Sequence, residues 1–290
     1  MSKLKKPKGI KSYPRILDKN HEKELEKRRI DDINEKEHLL NQREEVVAER
    51  ENRLKYRSDL FDDTIHEINK IYKQIEGNTN RLKEAFESLR FDDDYLNNTL
   101  KTLEGNVSLL SIRLELHRYL MNPSLIDSDQ LGRFVIYKKV EKIYKCLYEE
   151  KTKKGLNIDL KGSNERGFRL KNTIELAIFI IIENAIKYSP ENETITIFFS
   201  ENTDGLIVTF KNWGICPPEE EMQKLTERGY RSSIIRQQTN INGSGLGLYL
   251  LKQLCLSNNV EFNISKGNDL KTISGVKYNP FIVTLTFRNA

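Results

Sequence analysis

Residues 173–190 read TIELAIFIIIENAIKYSP and combine an apolar run with a polar end. The run at 176–182 is far too short to span a bilayer, and we interpret the whole stretch as a helix of a globular domain. Asn184 lies one helical turn before Lys187 at the polar end. A neutral amide oxygen can ligate Mg²⁺, and a nearby lysine can neutralise phosphate. The alternative is a plain helix surface on which Glu183 pairs with Lys187.

Strand and helix patterns alternate on both sides of this helix, from residue 131 to the end of the chain. The stretch VEKIYKCLYEEKTKKG predicts a second helix, and residues 245–257 predict a third. Strands are predicted near 259–265 and 280–288, and in the stretches RFVIYKK, LNIDLKG, GFRLKN, ETITIFFSE and GLIVTFKN. Because the strands are mixed with helices and include adjacent antiparallel pairs, we predict an α+β sandwich of one sheet and one helical layer.

Two further segments can hold a nucleotide together with the polar helix end. In VTFKNWGICPPEE, residues 208–220, a strand ends at Asn212 and Gly214 permits a tight turn. In GSGLGLYLLKQLC, residues 243–255, alternating glycines precede an apolar helix, whose first backbone N–H groups can approach phosphate oxygens. Each segment alone also fits an ordinary strand exit or a glycine-rich helix start. Their order and intervals together are specific.

In this order, the three segments resemble the catalytic domain of the GHKL ATPases, in particular sensor histidine kinases. NAIKYS resembles the N box, NWGICPP a variant G1 box, LTERGYRS a remnant of the F box and GSGLGL a full G2 box. The resemblance implies an α/β-sandwich ATP-binding domain of the Bergerat type over residues 131–290. It extends through the preceding helical segment and covers residues 59–290 in all.

The resemblance implies a role for each matching residue. Asn184 would coordinate Mg²⁺, Lys187 would meet phosphate, and Tyr188 would pack near the adenine or ribose. Residues 213–243 would form a mobile lid, with Arg231 as a phosphate contact. The other nucleotide-binding residues that it implies are Asn212, Gly214, Gly243, Ser244, Gly245, Leu246 and Gly247.

Three positions in the ATP-binding domain depart from the family's pattern. Asn212 replaces the usual G1 aspartate, and its side-chain oxygen can still accept a hydrogen bond from the adenine amine, without charge assistance. Cys216 replaces the second G1 glycine, and Ile180 replaces an asparagine that usually lies one turn before Asn184. In gyrase-like and chaperone-like relatives a glutamate at the Ile180 position activates water. The resemblance therefore favours transfer to a protein nucleophile over a hydrolytic motor.

Nine apolar residues spaced by seven predict a coiled coil before this domain. These d positions are Ile33, Leu40, Val47, Leu54, Phe61, Ile68, Ile75, Leu82 and Leu89. The early a positions are glutamates, such as Glu37 and Glu44, and each follows a basic g residue that can compensate it in a parallel pair. We predict a weak signalling coil over residues 21–58 that continues in register into a stronger one. A single solvated helix is the alternative.

A second apolar stripe follows a break at RFDDDY, residues 90–95. It consists of Leu96, Leu100, Leu103, Val107, Leu110, Leu114, His117 and Met121, and Asn122-Pro123 ends it. Residues 59–123 therefore predict an antiparallel helical hairpin, and two such hairpins would pair into a dimeric four-helix bundle. In the family, this segment is the dimerisation and histidine phosphotransfer domain.

His66 is the candidate nucleophile among the four histidines. His21 and His38 lie in the charged coil, and packing explains His117 on the second stripe. His66 is at heptad position b and faces outward, and Glu67 can accept or orient its proton.

The sequence HEIN at 66–69 resembles the phosphoacceptor H box. The resemblance implies that Glu67 acts as a base while His66 attacks the γ-phosphate of ATP. The usual proline is Ile71, and Lys70 occupies the position that orients water in kinases that also dephosphorylate their partner, so phosphatase activity is not expected.

The remaining features of the chain concern its surroundings. Residues 1–20 form a basic arm, typical of a disordered solubilising segment, with a weak contact to nucleic acid, membrane or an acidic partner as the alternative. Three scattered cysteines, Cys146, Cys216 and Cys255, fit a reducing cytosol and argue against a zinc site. No secretory or membrane-spanning segment is expected.

Together these features predict a cytoplasmic, homodimeric histidine kinase. It would use ATP and Mg²⁺ to phosphorylate His66 and pass the phosphoryl group to the receiver domain of a response regulator. A separate sensor or input protein would act through the coiled coil, and nucleic acid is not an expected partner. The alternative is an ATP-binding interaction protein that signals through its coil without histidine phosphotransfer.

Overall fold

The computed structural model describes residues 19–87, 93–238 and 244–288, and the chain divides into two compact units, Met1–Ser58 and Asp59–Ala290. Residues 1–18 of the predicted basic arm, the seam residue Leu89 and the first part of the predicted break lie outside the described residues. Among the described helices, none is both long and apolar enough to cross a membrane.

Helix α1 (Lys19–Glu87) supplies all the secondary structure described in the first unit. The predicted seam residues of that unit are 52% to 66% exposed, and they are Ile33, Leu40, Val47 and Leu54. Covering exposed apolar side chains with another helix lowers the free energy. The seam is therefore an available packing surface, as the predicted coiled coil requires.

In the second unit, the end of α1 lies antiparallel to helix α2 (Asp93–Met121). Thr64 contacts His117 and Glu67 contacts Arg113, so the residue numbers rise along α1 as they fall along α2. Asp93 and Asp94 occupy the first turn of α2, where carboxylates favour a helix start.

The buried face of α2 is not the predicted stripe. Residues Leu109, Ile112, Leu116 and Tyr119 are buried in a core shared with the α/β domain. The predicted stripe residues Leu100, Val107 and Leu114 are 46% to 51% exposed. Helix α2 therefore has two apolar faces, and the α/β domain covers one of them.

The α/β domain begins after a 3₁₀ turn at Pro123–Ser128. Its first half consists of β1 (Leu131–Val135), α3 (Ile136–Cys146), α4 (Tyr148–Lys153), β2 (Asn157–Lys161), β3 (Gly167–Lys171), α5 (Ile174–Tyr188) and β4 (Thr194–Glu201). Its second half consists of β5 (Gly205–Gly214), α6 (Glu219–Met222), a 3₁₀ turn at Gln223–Thr226, α7 (Ser233–Gln238), α8 (Gly247–Ser257), β6 (Glu261–Lys266), β7 (Lys271–Ile273) and β8 (Val276–Arg288).

The predicted α+β sandwich is confirmed. The main sheet has the order β2-β4-β5-β8-β6, in which β2 and β4 are parallel and the other pairs antiparallel. Strand β7 pairs with β8, and β1 and β3 form a separate antiparallel pair. Helices α3, α5 and α8 form the layer that packs on the sheet, with α5 between the other two. The carboxyl end of α5 and the start of α8 therefore come together beside the end of β5.

Three predicted boundaries are wrong. The stretch RFVIYKK is a strand only as far as Val135, because the side-chain oxygen of Asn164 accepts hydrogen bonds from the backbone N–H groups of Ile136 and Tyr137, at 2.9 and 3.2 Å, and so begins α3 there. The helix predicted after it is broken at Leu147 into α3 and α4. Strand β8 begins at Val276 rather than near residue 280, and the three-residue β7 was not predicted.

Candidate functional site

A cavity of about 370 Å³ lies between the helical hairpin and the α/β domain of the second unit. The predicted site residues that line it are His66, Glu67, Asn184, Lys187, Tyr188, Asn212, Gly214, Arg231, Ser244, Gly245, Leu246 and Gly247. The predicted Gly243 lies outside the described residues. The cavity thus brings together residues from five separate segments, and the role of each residue stays a prediction.

The carboxyl end of α5 is held in place by a lysine from the end of α4. Lys154 Nζ donates hydrogen bonds to the carbonyl oxygens of Ile186, Lys187 and Ser189, at 2.9, 2.9 and 2.7 Å. A cation at the carbonyl end of a helix satisfies acceptors that have no partner within the helix. Lys154 therefore fixes the segment that presents Lys187 and Tyr188 to the cavity.

The glycines before α8 allow close packing around the cavity. At Gly247 an added Cβ would lie 3.6 Å from Nδ2 of Asn184, so the first residue of α8 lies close to that amide. Gly245 has a φ of +71°, and an added Cβ there would lie 2.6 Å from the carbonyl oxygen of Tyr230. Gly245 in turn accepts a hydrogen bond from the backbone N–H of Gly229. The turn is thereby joined to the predicted lid.

Lys187 faces the cavity without a close anionic partner. Burial lowers its pKa, although Glu183 and Glu67 act in the opposite direction. Among the described residues, no carboxylate oxygen lies within 4 Å of its Nζ, and its one close ring contact is Tyr188, at 5.9 Å. The Glu183–Lys187 ion pair considered from the sequence does not form, because Glu183 pairs with Arg113 of α2 instead. The ammonium is left to a ligand of the cavity.

His66 and His117 both line the cavity, but only His66 is exposed. The hydroxyl of Thr64 donates to the carbonyl oxygen of Leu60 at 2.8 Å and lies 2.9 Å from Nδ1 of His117. Since that hydroxyl has a single proton, it accepts from His117, whose Nδ1 therefore carries a hydrogen. The ring of His117 also packs edge-on against Phe61 at 6.1 Å. His117 is thus engaged in packing and hydrogen bonding.

Comparison with known families identifies a domain type for part of the α/β domain. The family described as histidine kinase-, DNA gyrase B-, and HSP90-like ATPase matches residues 170–284, which include every predicted nucleotide-binding residue. The histidine protein kinase SaeS of Staphylococcus aureus is 27% identical over 166 residues, which are 56% of this chain and 45% of that protein. Residues 170–284 are therefore similar to the ATPase domain shared by histidine kinases, DNA gyrase B and HSP90.

Solved structures of histidine kinases are similar to part of this chain. The mycobacterial sensor histidine kinase MprB has a TM-score of 0.44 at 15% identity and covers 56% of this chain and 99% of its own. The Acinetobacter baumannii histidine kinase AdeS has a TM-score of 0.43 at 20% identity and covers 77% of this chain and 97% of its own. The chain spans less than half the length of the curated relatives that it matches.

The predicted variant G1 box has a defined hydrogen-bond pattern at Asn212. Asn212 Nδ2 donates to Ser189 Oγ at 3.2 Å and to the carbonyl oxygen of Trp213 at 3.1 Å. Ser189 Oγ itself donates to the carbonyl oxygen of Ala185 at 2.6 Å, so it can only accept from Asn212. These partners fix the orientation of the amide and leave Oδ1 of Asn212 as the acceptor for a ligand.

Cys216 and Ile180, the other two departures in the ATP-binding domain, are both packing residues. The Sγ of Cys216 lies 3.7 Å from the carbonyl oxygen of Asn279, and burial raises the pKa of its thiol to about 11. Cys216 is therefore a protonated packing residue at neutral pH. Ile180 is buried in the core and lines the cavity near Gly247, so it contributes apolar surface where relatives carry a polar group.

Sequence reasoning missed three residues that hold the site together: Arg113, Lys154 and Ser189. None of them stands at a position to which the prediction gave a role, and each has a partner at least 23 residues away in the sequence. Arg113, for example, contacts residues 46 and 70 positions away. No local sequence pattern predicts a contact between residues so far apart.

Proposed function

We propose that this chain is a protein-histidine kinase that transfers the γ-phosphoryl group of ATP to His66. The observation that carries the proposal is that His66 lines the same cavity as the predicted nucleotide-binding residues. The ATPase family of residues 170–284 and the kinase relatives support it. A shared cavity matters because a phosphoryl transfer needs donor and acceptor held in contact.

The residues of the α/β domain would bind and orient the nucleotide. Oδ1 of Asn212 would accept a hydrogen bond from the adenine amine, and Tyr188 would pack near the base or ribose. The backbone N–H groups at the start of α8, from Ser244 to Gly247, would meet phosphate oxygens. Lys187 and Arg231 would neutralise the charge on the transferred group, which is the main contribution a protein makes to this reaction.

A magnesium ion fits the donor set of the cavity. Asn184 offers a neutral amide oxygen, and Mg²⁺ in nucleotide sites is bound by one or two side chains together with phosphate oxygens and water. Among the residues that the structure describes, no cluster of three or more His, Cys, Asp or Glu residues offers a dedicated metal site. When bound, the ion would be held by Asn184 and would neutralise negative charge on the phosphate groups.

The proposed step forms one bond and breaks one bond. A lone pair on a ring nitrogen of His66 attacks the γ-phosphorus, and the bond from that phosphorus to the bridging oxygen breaks, so that ADP leaves with the electron pair. The proton of the other ring nitrogen passes to the carboxylate of Glu67, which the family resemblance assigns as base.

The partners belong to the same proposal. The kinase would act in the cytoplasm as a homodimer and pass the phosphoryl group to a receiver-domain aspartate of a response regulator. The exposed stripe of α2, which includes Leu100, Val107 and Leu114, supports pairing with a second hairpin. Input from a separate protein would arrive through the coil of the first unit.

An ATP-binding interaction protein without phosphotransfer is the second candidate. Two positions favour it, because Ile180 replaces a polar residue of the family's pattern and Asn212 lacks the charge of the usual aspartate. It predicts nucleotide binding without phosphohistidine.

Mapping of the phosphorylated residue tests the proposal. After incubation with Mg-ATP, mass spectrometry of peptides kept at neutral pH is expected to find phosphate on the peptide that contains His66. Nucleotide binding with no phosphate on this peptide would favour the interaction protein instead.

A further inference from the structure

Arg113 of α2 binds two carboxylates, one next to the proposed phosphoacceptor and one next to the proposed magnesium ligand. Its Nη1 lies 3.1 Å from Oε2 of Glu67, the residue after the phosphoacceptor histidine. Its Nη2 pairs with Oε1 of Glu183, the residue before Asn184 in the N box. The arginine side chain is only 15% exposed, and its guanidinium lies 4.9 Å from the ring centroid of Phe179.

We propose that Arg113 is a positioning residue for histidine phosphorylation. One guanidinium holds the helix of the phosphoacceptor against the helix of the N box, and by binding Glu183 it leaves Lys187 to the nucleotide. This proposal rests on the function proposed above.

The chemistry of the side chain fits this role. A guanidinium presents its donors in a rigid plane and can therefore bind two carboxylates in one fixed geometry, which the single ammonium of a lysine cannot do. Burial on its own would lower the pKa of Arg113, but Glu183 and Glu67 raise it above its ordinary value, so the cation persists at every working pH. The Nε of Arg113 has no hydrogen-bond partner among the described residues, so the two carboxylates are the main polar contacts of this side chain.

The second part of the role follows from the position of Glu183. It stands four residues before Lys187 on α5, a spacing at which opposite charges on a helix usually pair. Arg113 takes up Glu183, and the described carboxylates then leave the ammonium of Lys187 without an ion pair. Without Arg113, we expect Glu183 to turn to Lys187 and compete with phosphate for it.

The docking of the hairpin does not depend on Arg113 alone. Glu149 of α4 accepts hydrogen bonds from Gln74 of α1 at 2.7 Å and from Asn106 of α2 at 3.4 Å. Buried apolar residues of α2 also share the core of the α/β domain. A variant at Arg113 is therefore expected to fold, so that its effect on the reaction can be measured.

The experiment compares four full-length proteins: wild type, Arg113→Gln, the double variant Arg113→Gln/Glu183→Gln, and Lys101→Gln as a control. Lys101 is an exposed cation on the same helix. For each protein, the rate of His66 phosphorylation at saturating Mg-ATP and the Kd for Mg-ADP are measured, together with the Tm.

Two separate losses are expected in Arg113→Gln. The phosphorylation rate should fall by at least about tenfold, because the phosphoacceptor helix loses its charged tie to the N box. The Kd for Mg-ADP should rise about fivefold, because Glu183 now pairs with Lys187. In the double variant the Kd should return to the wild-type value while the rate stays low, and Lys101→Gln should change neither.

An unchanged rate in Arg113→Gln would overturn the proposal. A joint loss of phosphorylation rate, Mg-ADP binding and Tm in Arg113→Gln that persists in the double variant would also overturn it. A purely structural ion pair predicts that pattern. If the wild type takes up no phosphate on His66, the proposed function fails. The recovery of the Kd in the double variant then still decides whether Arg113 keeps Glu183 from Lys187.

Discussion

The side chain of Asn212 is held by two acceptors, and this decides what it can offer a nucleotide. Ser189 Oγ and the carbonyl oxygen of Trp213 both receive hydrogen bonds from Nδ2, at 3.2 and 3.1 Å. The family's usual aspartate would place an oxygen where two acceptors already stand. The surroundings of Asn212 are therefore complementary to an amide. Replacing the aspartate changes the hydrogen-bond pattern as well as the charge.

For this reason, we expect Asn212→Asp to lower stability, although it restores the residue usual in the family. The carboxylate would face two buried acceptors, so the free energy of unfolding should fall by about 1–3 kcal/mol. The Kd for Mg-ADP should not decrease. Thermal unfolding and nucleotide titration measure the two quantities. Asn263→Asp, at an exposed position of β6, is the matched control. Tighter binding of Mg-ADP at an unchanged Tm would show that Asn212 only weakens nucleotide binding.

At this scale, the residues that could be predicted from the sequence are those inside short motifs. His66, Asn184, Lys187 and the glycines before α8 stand at fixed intervals within single elements, and the structure places them on one cavity. Arg113 and Ser189 act through partners on other elements, so their contacts depend on tertiary packing that no local spacing encodes.

At the scale of elements, the ends of helices were harder to predict than their middles. The apolar run of α5 and the alternating patterns of β4 and β5 are local, and the structure has these elements where the patterns indicate them. The start of α3 is set by Asn164, 28 residues beyond Ile136. A helix that is capped by a distant residue gives no local start signal.

We expect Asn164→Ala to destabilise the protein by about 1–2 kcal/mol, because two backbone N–H groups at the start of α3 lose their acceptor. Chemical denaturation measures this free energy. Ser163→Ala, at the exposed neighbouring position, should change it little. Equal stability of Asn164→Ala and wild type would mean that water replaces the cap, and that α3 begins at Ile136 for another reason.

At the scale of the whole molecule, α2 serves two surfaces of the second unit. One face shares the core of the α/β domain through residues such as Leu109 and Tyr119. The other carries Leu100, Val107 and Leu114 of the predicted stripe, which are 46% to 51% exposed. The sequence predicted the stripe but not the second buried face, because periodicity shows which residues are apolar and not which surface covers them.

If the exposed stripe pairs two chains, its polar replacement should dissociate them. We expect Leu100→Gln/Leu114→Gln to weaken dimerisation at least about tenfold, since each buried leucine contributes about 1.5–3 kcal/mol. Sedimentation equilibrium measures the effect. The control is Leu256→Gln/Leu270→Gln, which changes two leucines of similar exposure outside the hairpin. A dimer equally stable in both variants would place the interface elsewhere.

Labelling with γ-labelled ATP and Mg²⁺ tests whether His66 is the phosphoacceptor of the cavity. Wild type, His66→Gln and His117→Gln are compared, because both histidines line the cavity. We expect acid-labile label in the wild type and in His117→Gln, and none in His66→Gln. Label in His66→Gln equal to that of the wild type would contradict it.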